Sequence, residues 1–465
     1  MNILFTTSLL LFTLITIYKT RLGIYLILIL VPSFLIRTQI FSIPTTFLEL
    51  SIYILTAIWL LKKTISYNCV TRSLPKGDEL ITTSYKNLIQ HAKPFLIPIT
   101  LFILAALIST AISPDKRLSL GILKAWILDP LLFTIIFIDQ IKTREHVNKV
   151  IASLSLMVLW VSAYGIYEYF VNPRNLIEYL RLDSIFTSAN YVTMLTVPVT
   201  LIIISYLIST LKQYNNITIE QKNNETKKQL KFSSFCFLVF LFSCFLVSTT
   251  AIYLTKSFSG WLGLSAGIFI LLLLTPIKRK IKIITICSLL VLGGLFAYTQ
   301  KDNPKFQALT NFTGRTAVHS RIQIWKTSVE IIKDNPVLGI GLGNFHNAYL
   351  KYLPKTIKSP LEQEVIKPHN LYLNLWLEMG LLGLVAFLWL IVVFYKKGLG
   401  IKYQVLRATV FAAMTALLIQ GFFDTPYFKN DLSLIFWLII GLSIIRVDPS
   451  NPLNPCSKLN TDDTD

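Results

Sequence analysis

At 465 residues, 53% of them hydrophobic and 15% charged, and with a mean hydropathy of +0.60, the chain falls outside the class of soluble globular proteins. Its 44 Lys and Arg against 24 Asp and Glu leave a net charge of +20. No aromatic-and-basic platform or nucleic-acid motif accompanies that excess, so nucleic acid is not an expected partner. Five cysteines make no disulfide framework, because Cys236, Cys244 and Cys287 fall inside apolar runs and Cys69 and Cys456 in separate polar ones.

Apolar runs of about 17–25 residues, long enough to cross a hydrocarbon core of ~30 Å as a helix, recur from end to end. In chain order they predict spans at 3–18, 21–36, 44–61, 94–112, 119–138, 149–170, 189–209, 232–254, 257–275, 283–299, 370–394, 405–422 and 432–446. That gives 12 or 13 transmembrane helices, the first two being short. Ten-residue alternation, the mark of a membrane β-barrel, is absent. The expected fold is therefore an all-α polytopic membrane protein. The opening stretch MNILFTTSLLLFTLITIYKTRLG lacks the basic start and the small-x-small site of a signal peptide, and is read as the first span.

Lysine and arginine set the orientation. They collect in 62–93, in 210–231, in the KRKIK turn at 278–282, and at Lys396, Lys397, Lys402 and Arg407. These all fall on one side when the spans alternate, which makes that side cytoplasmic. The net charge then serves topology and attraction to anionic lipid. The same alternation puts 300–369 on the extracytoplasmic side, although it holds ten Lys and Arg against five acids. Loops this long cross regardless of charge; a positive surface there also suits a phosphate-bearing lipid or an anionic polymer. The expected organisation is a transmembrane bundle at 1–299, a large loop at 300–369, C-terminal helices at 370–446 and a polar tail at 447–465.

Within the loop, SRIQIWKTSVEIIKDNPVLGIGLGNF places Ile322, Trp325, Val329 and Ile332 at helical spacing. This predicts an amphipathic helix over 319–333, lying near the membrane surface. Asn335 and Pro336 end it. The GIGLG that follows has no preceding strand of a βαβ unit, so a tight turn bringing backbone close to a ligand or a helix is expected, rather than a nucleotide site. Lys124 and Asp129 fall inside a span, where charged groups default to function, and an offset of five does not pair them directly. Glu49 and Glu168 near span ends are read as structural. Trp325, Trp376 and Tyr372 are read as interfacial anchors or core.

Several of these segments together resemble the O-antigen ligase and polymerase superfamily of membrane glycosyltransferases. Arg321 to Trp325 as R-x-x-x-W, then NPVLGIGLGNF, then HNLYLNLWLEMGLLG is similar to the signature of that family's large loop and the helix after it. SLGILKAWILDPLLF (119–133), RLDSIFTSANYVTML (181–195) and FFDTPYFKNDLSLIFW (422–437) resemble other parts in the same order. The resemblance implies a GT-C-like arrangement. One departure is clear: where the family opens a middle helix with S-R-G, this chain reads YLTKSFSGWLGLSAG, with Phe258 at the arginine's place and Lys256 two residues earlier. Either Lys256 takes over a phosphate contact or the donor is bound differently. A lysine lacks arginine's bidentate fork.

The resemblance implies a donor glycan on a polyprenyl diphosphate and a lipid, glycan or protein acceptor, at the outer face of a bacterium's cytoplasmic membrane. Arg321, and after it Arg315, would stabilise charge developing on the leaving diphosphate. His369, at the edge of a predicted span, would act as general base toward the acceptor hydroxyl; an unperturbed imidazole titrates near ~6.5. Pro368 is expected in the first turn of the following helix. Asn370 is expected to bond a sugar or hold the ring's other nitrogen, and Asp424 to cap a helix or pair with a cation such as Lys429. No cofactor and no metal enter this scheme. Ligase and polymerase share the signature and stay undecided; a transporter without chemistry is the other class, although no internal repeat supports it.

Overall fold

The computed structural model describes residues 3–40, 43–73, 77–172, 181–220, 224–275, 317–401 and 403–445, with isolated positions between 280 and 298. The protein is an all-α polytopic membrane protein. Apolar runs become helices because, away from water, a helix alone bonds its own backbone N–H and C=O groups within one segment. The first half comprises α1 (Ile3–Tyr18), α2 (Thr20–Ile29), α3 (Phe47–Ser73), α4 (Gly77–Ile112), α5 (Lys116–Leu123), α6 (Asp129–Gln140) and α7 (Arg144–Val171). Next come α8 (Ala189–Glu220), α9 (Asn224–Leu254) and α10 (Phe258–Leu274). The loop contributes α11 (Ala317–Asp334) and α12 (Phe345–Thr356); α13 (Leu371–Gly398), α14 (Gln404–Gln420) and α15 (Asn430–Ile444) close the bundle.

Among the described residues, six helical segments are long and apolar enough to cross a membrane, and five further apolar helices are shorter. The predicted spans at 21–36 and 44–61 are modified. Pro32 falls in a 3-10 turn after α2, and a two-stranded antiparallel hairpin (Arg37–Ile40 with Ile43–Thr46) precedes α3. The predicted span at 283–299 lies outside the described residues, isolated positions aside. A core of buried Phe, Leu, Ile and Val joins the helices, and α15 is its most enclosed member, buried from Asp431 to Ile444.

The two intramembrane charges on the 119–138 run serve this scaffold. A π-helical turn at Lys124–Leu128 links α5 to α6, and Lys124 and Asp129 turn to different partners. Lys124 Nζ lies 2.7 Å from Glu49 Oε2, and Asn430 Nδ2 donates to Glu49 Oε1 at 3.0 Å. The Tyr53 hydroxyl donates to Asp129 Oδ1 at 2.9 Å. Pairing offsets the cost of burying these groups.

The loop is stapled into the membrane domain through a broken helix. Gly380 in α13 has φ +68°, outside helical geometry. The backbone of NPVLGIGLG fills the break: Ile340 N donates to Leu377 O at 2.7 Å, and Leu381 N donates to Val337 O at 3.0 Å. A β-carbon on Gly339 would stand 2.4 Å from Leu377 O, and one on Gly380 2.2 Å from Val337 O. The glycine turn thus brings backbone close to a helix, one of the two outcomes expected of it. Ser113 and Ser119 hydroxyls both donate to Leu342 O, tying the same turn to α4 and α5.

One prediction about the loop helix is corrected. Residues 317–334 are helical, but Val329 is 42% exposed and the fully buried positions are Ile324, Thr327, Ser328 and Ile331. The helix packs inward on a cluster made with Phe345, Tyr349, Leu353 and Val365 of the loop and Leu377 of α13, to which Ile332 also belongs. Helical spacing shows that a face exists; which face is covered depends on the neighbour that covers it.

Candidate active site

Of the predicted site residues, Arg321, His369 and Asp424 meet where the 181–190 segment, the turn before α10, the loop helix α11, the start of α13 and the turn after α14 converge. Asp424 is the hub. It follows α14 directly, with its N–H bonded to Gln420 O, and is 2% exposed. Its Oδ2 accepts from Ser259 at 2.5 Å. Its Oδ1 accepts from Asn190 Nδ2 at 3.1 Å and from Arg321 Nη2 at 3.4 Å. His369 Nδ1 stands 3.5 Å from the same oxygen. One buried carboxylate therefore gathers a histidine, a guanidinium, an amide and a hydroxyl.

The histidine is held by both its neighbours. Lys367 Nζ pairs with the buried Glu378 carboxylate of α13 at 2.6 Å, with the Trp126 and Phe428 rings about it. Trp325 of α11 donates its indole N–H to Pro368 O at 3.0 Å. Asn370 caps α13, its Oδ1 accepting from Leu373 N and its Nδ2 donating to Phe422 O, each at 3.0 Å. Between these clamps His369 takes a left-handed backbone, φ +48°, and its side chain stays 40% exposed. A non-glycine residue there is strained by about 1–3 kcal/mol and persists because its surroundings over-determine it.

Three expectations about this segment are thereby corrected. Pro368 precedes the cap and is not in the helix's first turn; Asn370, whose side chain accepts a bond at the N-cap, sets the start of α13. Both ends of the Asn370 amide are committed to scaffold, and the ring contact comes from Asp424 instead. Asp424 pairs with Arg321 rather than Lys429, whose ammonium lies 3.7 Å from the Tyr191 ring centroid, with Phe186 and Phe34 nearby. Trp376 and Tyr372 are tied to backbone carbonyls, Pro336 O and Leu418 O.

Lys256 is exposed in the turn before α10, with φ +49°. Ser257 caps that helix and Phe258 begins it, its ring edge-on to Phe423. Lys256 is not the only cation near this turn, because the fold brings in Arg181. Its Nε donates to Thr255 O at 2.7 Å and its Nη2 to Asn190 Oδ1 at 2.6 Å. Although Arg181 sits at the surface, crowding by protein lowers its pKa; Asp424 opposes that shift and Arg321 adds to it. An arginine nonetheless stays protonated. The resemblance of RLDSIFTSANY assigns no role to Arg181 or Asn190. The signal was the motif itself, whose first and last polar residues are the two that reach the site. Arg315 lies outside the described residues.

Arg181 and Arg321 lie about the Asp424 carboxylate and Lys256 is exposed in the neighbouring turn, so positive charge is in surplus here, which suits an anion. Ser257 reinforces the frame by donating to Asn190 Oδ1 and capping Gly260 N. Among the described residues no three His, Cys, Asp or Glu are grouped as metal ligands.

Residues 242–388 match the O-antigen ligase family, a stretch that carries Lys256, Arg315, Arg321, His369 and Asn370. Arg181, Asn190 and Asp424 lie beyond it. A protein of Rickettsia prowazekii provisionally named a polysaccharide ligase is 28% identical over 200 residues, which are 41% of this chain and 47% of the relative. A protein of the same provisional name from Rickettsia typhi is 27% identical over 199 residues, with the same shares. The match thus spans about half the length of these curated relatives.

Proposed function

We propose, taking the O-antigen ligase domain at residues 242–388 as premise, that the protein is a membrane glycosyltransferase moving a polyprenyl-diphosphate-linked glycan onto an acceptor hydroxyl at the outer face of a bacterial cytoplasmic membrane. The observation that carries this reading is the Asp424 cluster, in which one buried carboxylate joins a histidine to a guanidinium and, through Asn190, to a second.

In this mechanism the acceptor oxygen attacks the anomeric carbon from the face opposite the diphosphate. The bond from that carbon to the phosphate oxygen breaks, its electron pair leaving on the diphosphate, and the acceptor's proton passes to His369. With Nδ1 turned to Asp424, Nε2 is the nitrogen that receives the proton, and the carboxylate orients the ring and stabilises the imidazolium. Arg181 and Arg321, with Lys256 nearby, stabilise the charge that builds on the leaving group; Arg315 is assigned the same role from the sequence. Guanidinium groups supply the positive charge in this scheme, which runs without a metal. The polyprenyl tail stays in the bilayer, so the reacting carbon is held at headgroup level.

The broken helix favours an enzyme over a transporter. Discontinuous helices in transporters expose backbone to the cargo, whereas the break at Gly380 is filled by residues 337–340 of the chain itself. A strain lacking the gene tests the reading. Lipid-linked long polymer accumulates if a ligase is lost and single repeat units accumulate if a polymerase is lost; an unchanged lipid-linked pool would overturn the transferase assignment.

The arginine pair yields a separate expectation. Arg181→Ala should raise the donor KM by at least tenfold, the scale of one charged hydrogen bond worth about 1.5–3 kcal/mol. Lys256→Ala should change it less, and Arg181→Lys should not restore it, because an ammonium cannot bond Thr255 O and Asn190 Oδ1 as a fork does. A larger loss in Lys256→Ala than in Arg181→Ala would return the role of the missing arginine to the lysine.

A further inference from the structure

A groove of about 730 Å³ opens between α11 and α12, on the exposed side of the loop helix. Trp325, Val329 and Ile322 line one wall and Tyr352 the other. Trp325 also donates its indole N–H to Pro368 O, the carbonyl just before His369. The groove therefore starts beside the segment that carries the candidate base. It runs along α11 toward Asp334, whose carboxylate accepts from the Tyr352 hydroxyl at 2.6 Å and fixes that ring. Lys326 and Lys355 are balanced in the lining by Glu330 and Asp334.

We propose that this groove binds the acceptor glycan, as an uncharged, hydroxyl-rich saccharide chain leading away from His369; its direction rests on the transferase reading above. Aromatic faces offer the apolar faces of sugar rings a stacking surface. Interleaved ammonium, carboxylate and hydroxyl groups bond the ring hydroxyls in either sense. Four charges in the lining are incompatible with hydrocarbon, which excludes the bilayer interior as the occupant. Their balance sets the groove apart from the cationic cluster at Arg181 and Arg321, to which the proposed function gives the donor diphosphate. The donor diphosphate is assigned to that cluster and the acceptor to the groove, because Trp325 in the groove lining bonds the carbonyl just before His369.

The test uses the full-length protein in lipid nanodiscs. The probe is a set of short, phosphate-free oligosaccharides released by hydrolysis from the host's own surface polysaccharide, with binding followed by saturation-transfer NMR. Tyr352→Ala and Val329→Arg should each weaken binding roughly 3–10-fold, the scale of one lost aromatic contact, while Lys351→Ala, on α12 but outside the lining, leaves it unchanged. In steady-state transfer the same two variants should raise the acceptor KM and leave the donor KM alone. Equal binding by all variants, no binding by the wild type, or a rise in donor KM instead would each overturn the assignment. Groove-dependent binding without any glycan transfer by the wild type would uphold the groove and sink the transferase reading.

Discussion

Replacing His369 with alanine is expected to lower turnover by about 10²–10⁴-fold, the usual contribution of a positioned general base, while the protein still inserts and still binds its lipid-linked donor. The ring is the group in this cluster suited to accept a proton: Asp424 is buried and committed to four partners, and the guanidiniums are donors only. Its position is specified by Lys367, Trp325 and Asn370 on either side, so removing the imidazole leaves the segment's anchors in place. Arg321→Ala should differ in kind, impairing donor binding as well as turnover, because it removes a phosphate contact and leaves Asp424 one partner short. Single-turnover transfer by the purified enzyme, with donor binding measured separately, distinguishes the two. A His369→Ala enzyme transferring glycan at the wild-type rate would reduce the histidine to an interfacial anchor.

The second large effect concerns folding. Gly380→Ala is expected to unfold or mispack the loop, because the new methyl would stand 2.2 Å from Val337 O and 2.6 Å from Leu338 C, both backbone, at φ +68°. At φ +68° and ψ −174° the backbone lies in a region essentially confined to glycine, which costs another residue about 1–3 kcal/mol, and the contact cannot be relieved by a side-chain rotation. Gly121→Ala supplies the opposite sign: nothing lies within 4 Å of a β-carbon there and the position is helical. Alanine should stabilise that site by roughly 0.5–1 kcal/mol. Thermal unfolding in detergent should therefore rank Gly121→Ala above wild type and Gly380→Ala well below it. Indistinguishable midpoints for wild type and Gly380→Ala would mean that the loop is not stapled into the helix break.

Much of this architecture is written in local pattern. Apolar run length is a property of consecutive residues, and it placed both ends of α10 and the C-terminal ends of α7 and α9 to within one residue of their observed bounds. The loop helix and the glycine turn were legible for the same reason, since spacing along one segment reports whether a face or a tight turn exists. The hairpin before α3 was missed because hydropathy does not distinguish a strand of four residues from the edge of a span. The covered face of α11 was missed because the packing partners, Phe345 and Tyr349 among them, are not encoded in α11 itself.

The candidate site divides along the same line. The sequence by itself determined that His369 stands at the edge of an apolar helix and that Arg321 lies on an amphipathic one. It also supplied the motif containing Arg181 and Asn190, without indicating what they reach. Only the tertiary structure decided that Asn190, 234 residues before Asp424, and Arg321, 103 residues before it, would share one carboxylate oxygen. It likewise decided that Arg181 would bond the carbonyl beside Lys256 and that Asn370 would cap the following helix. Side-chain partners across helices follow from how the helices cross and how closely they approach, and neither quantity is a property of any one segment.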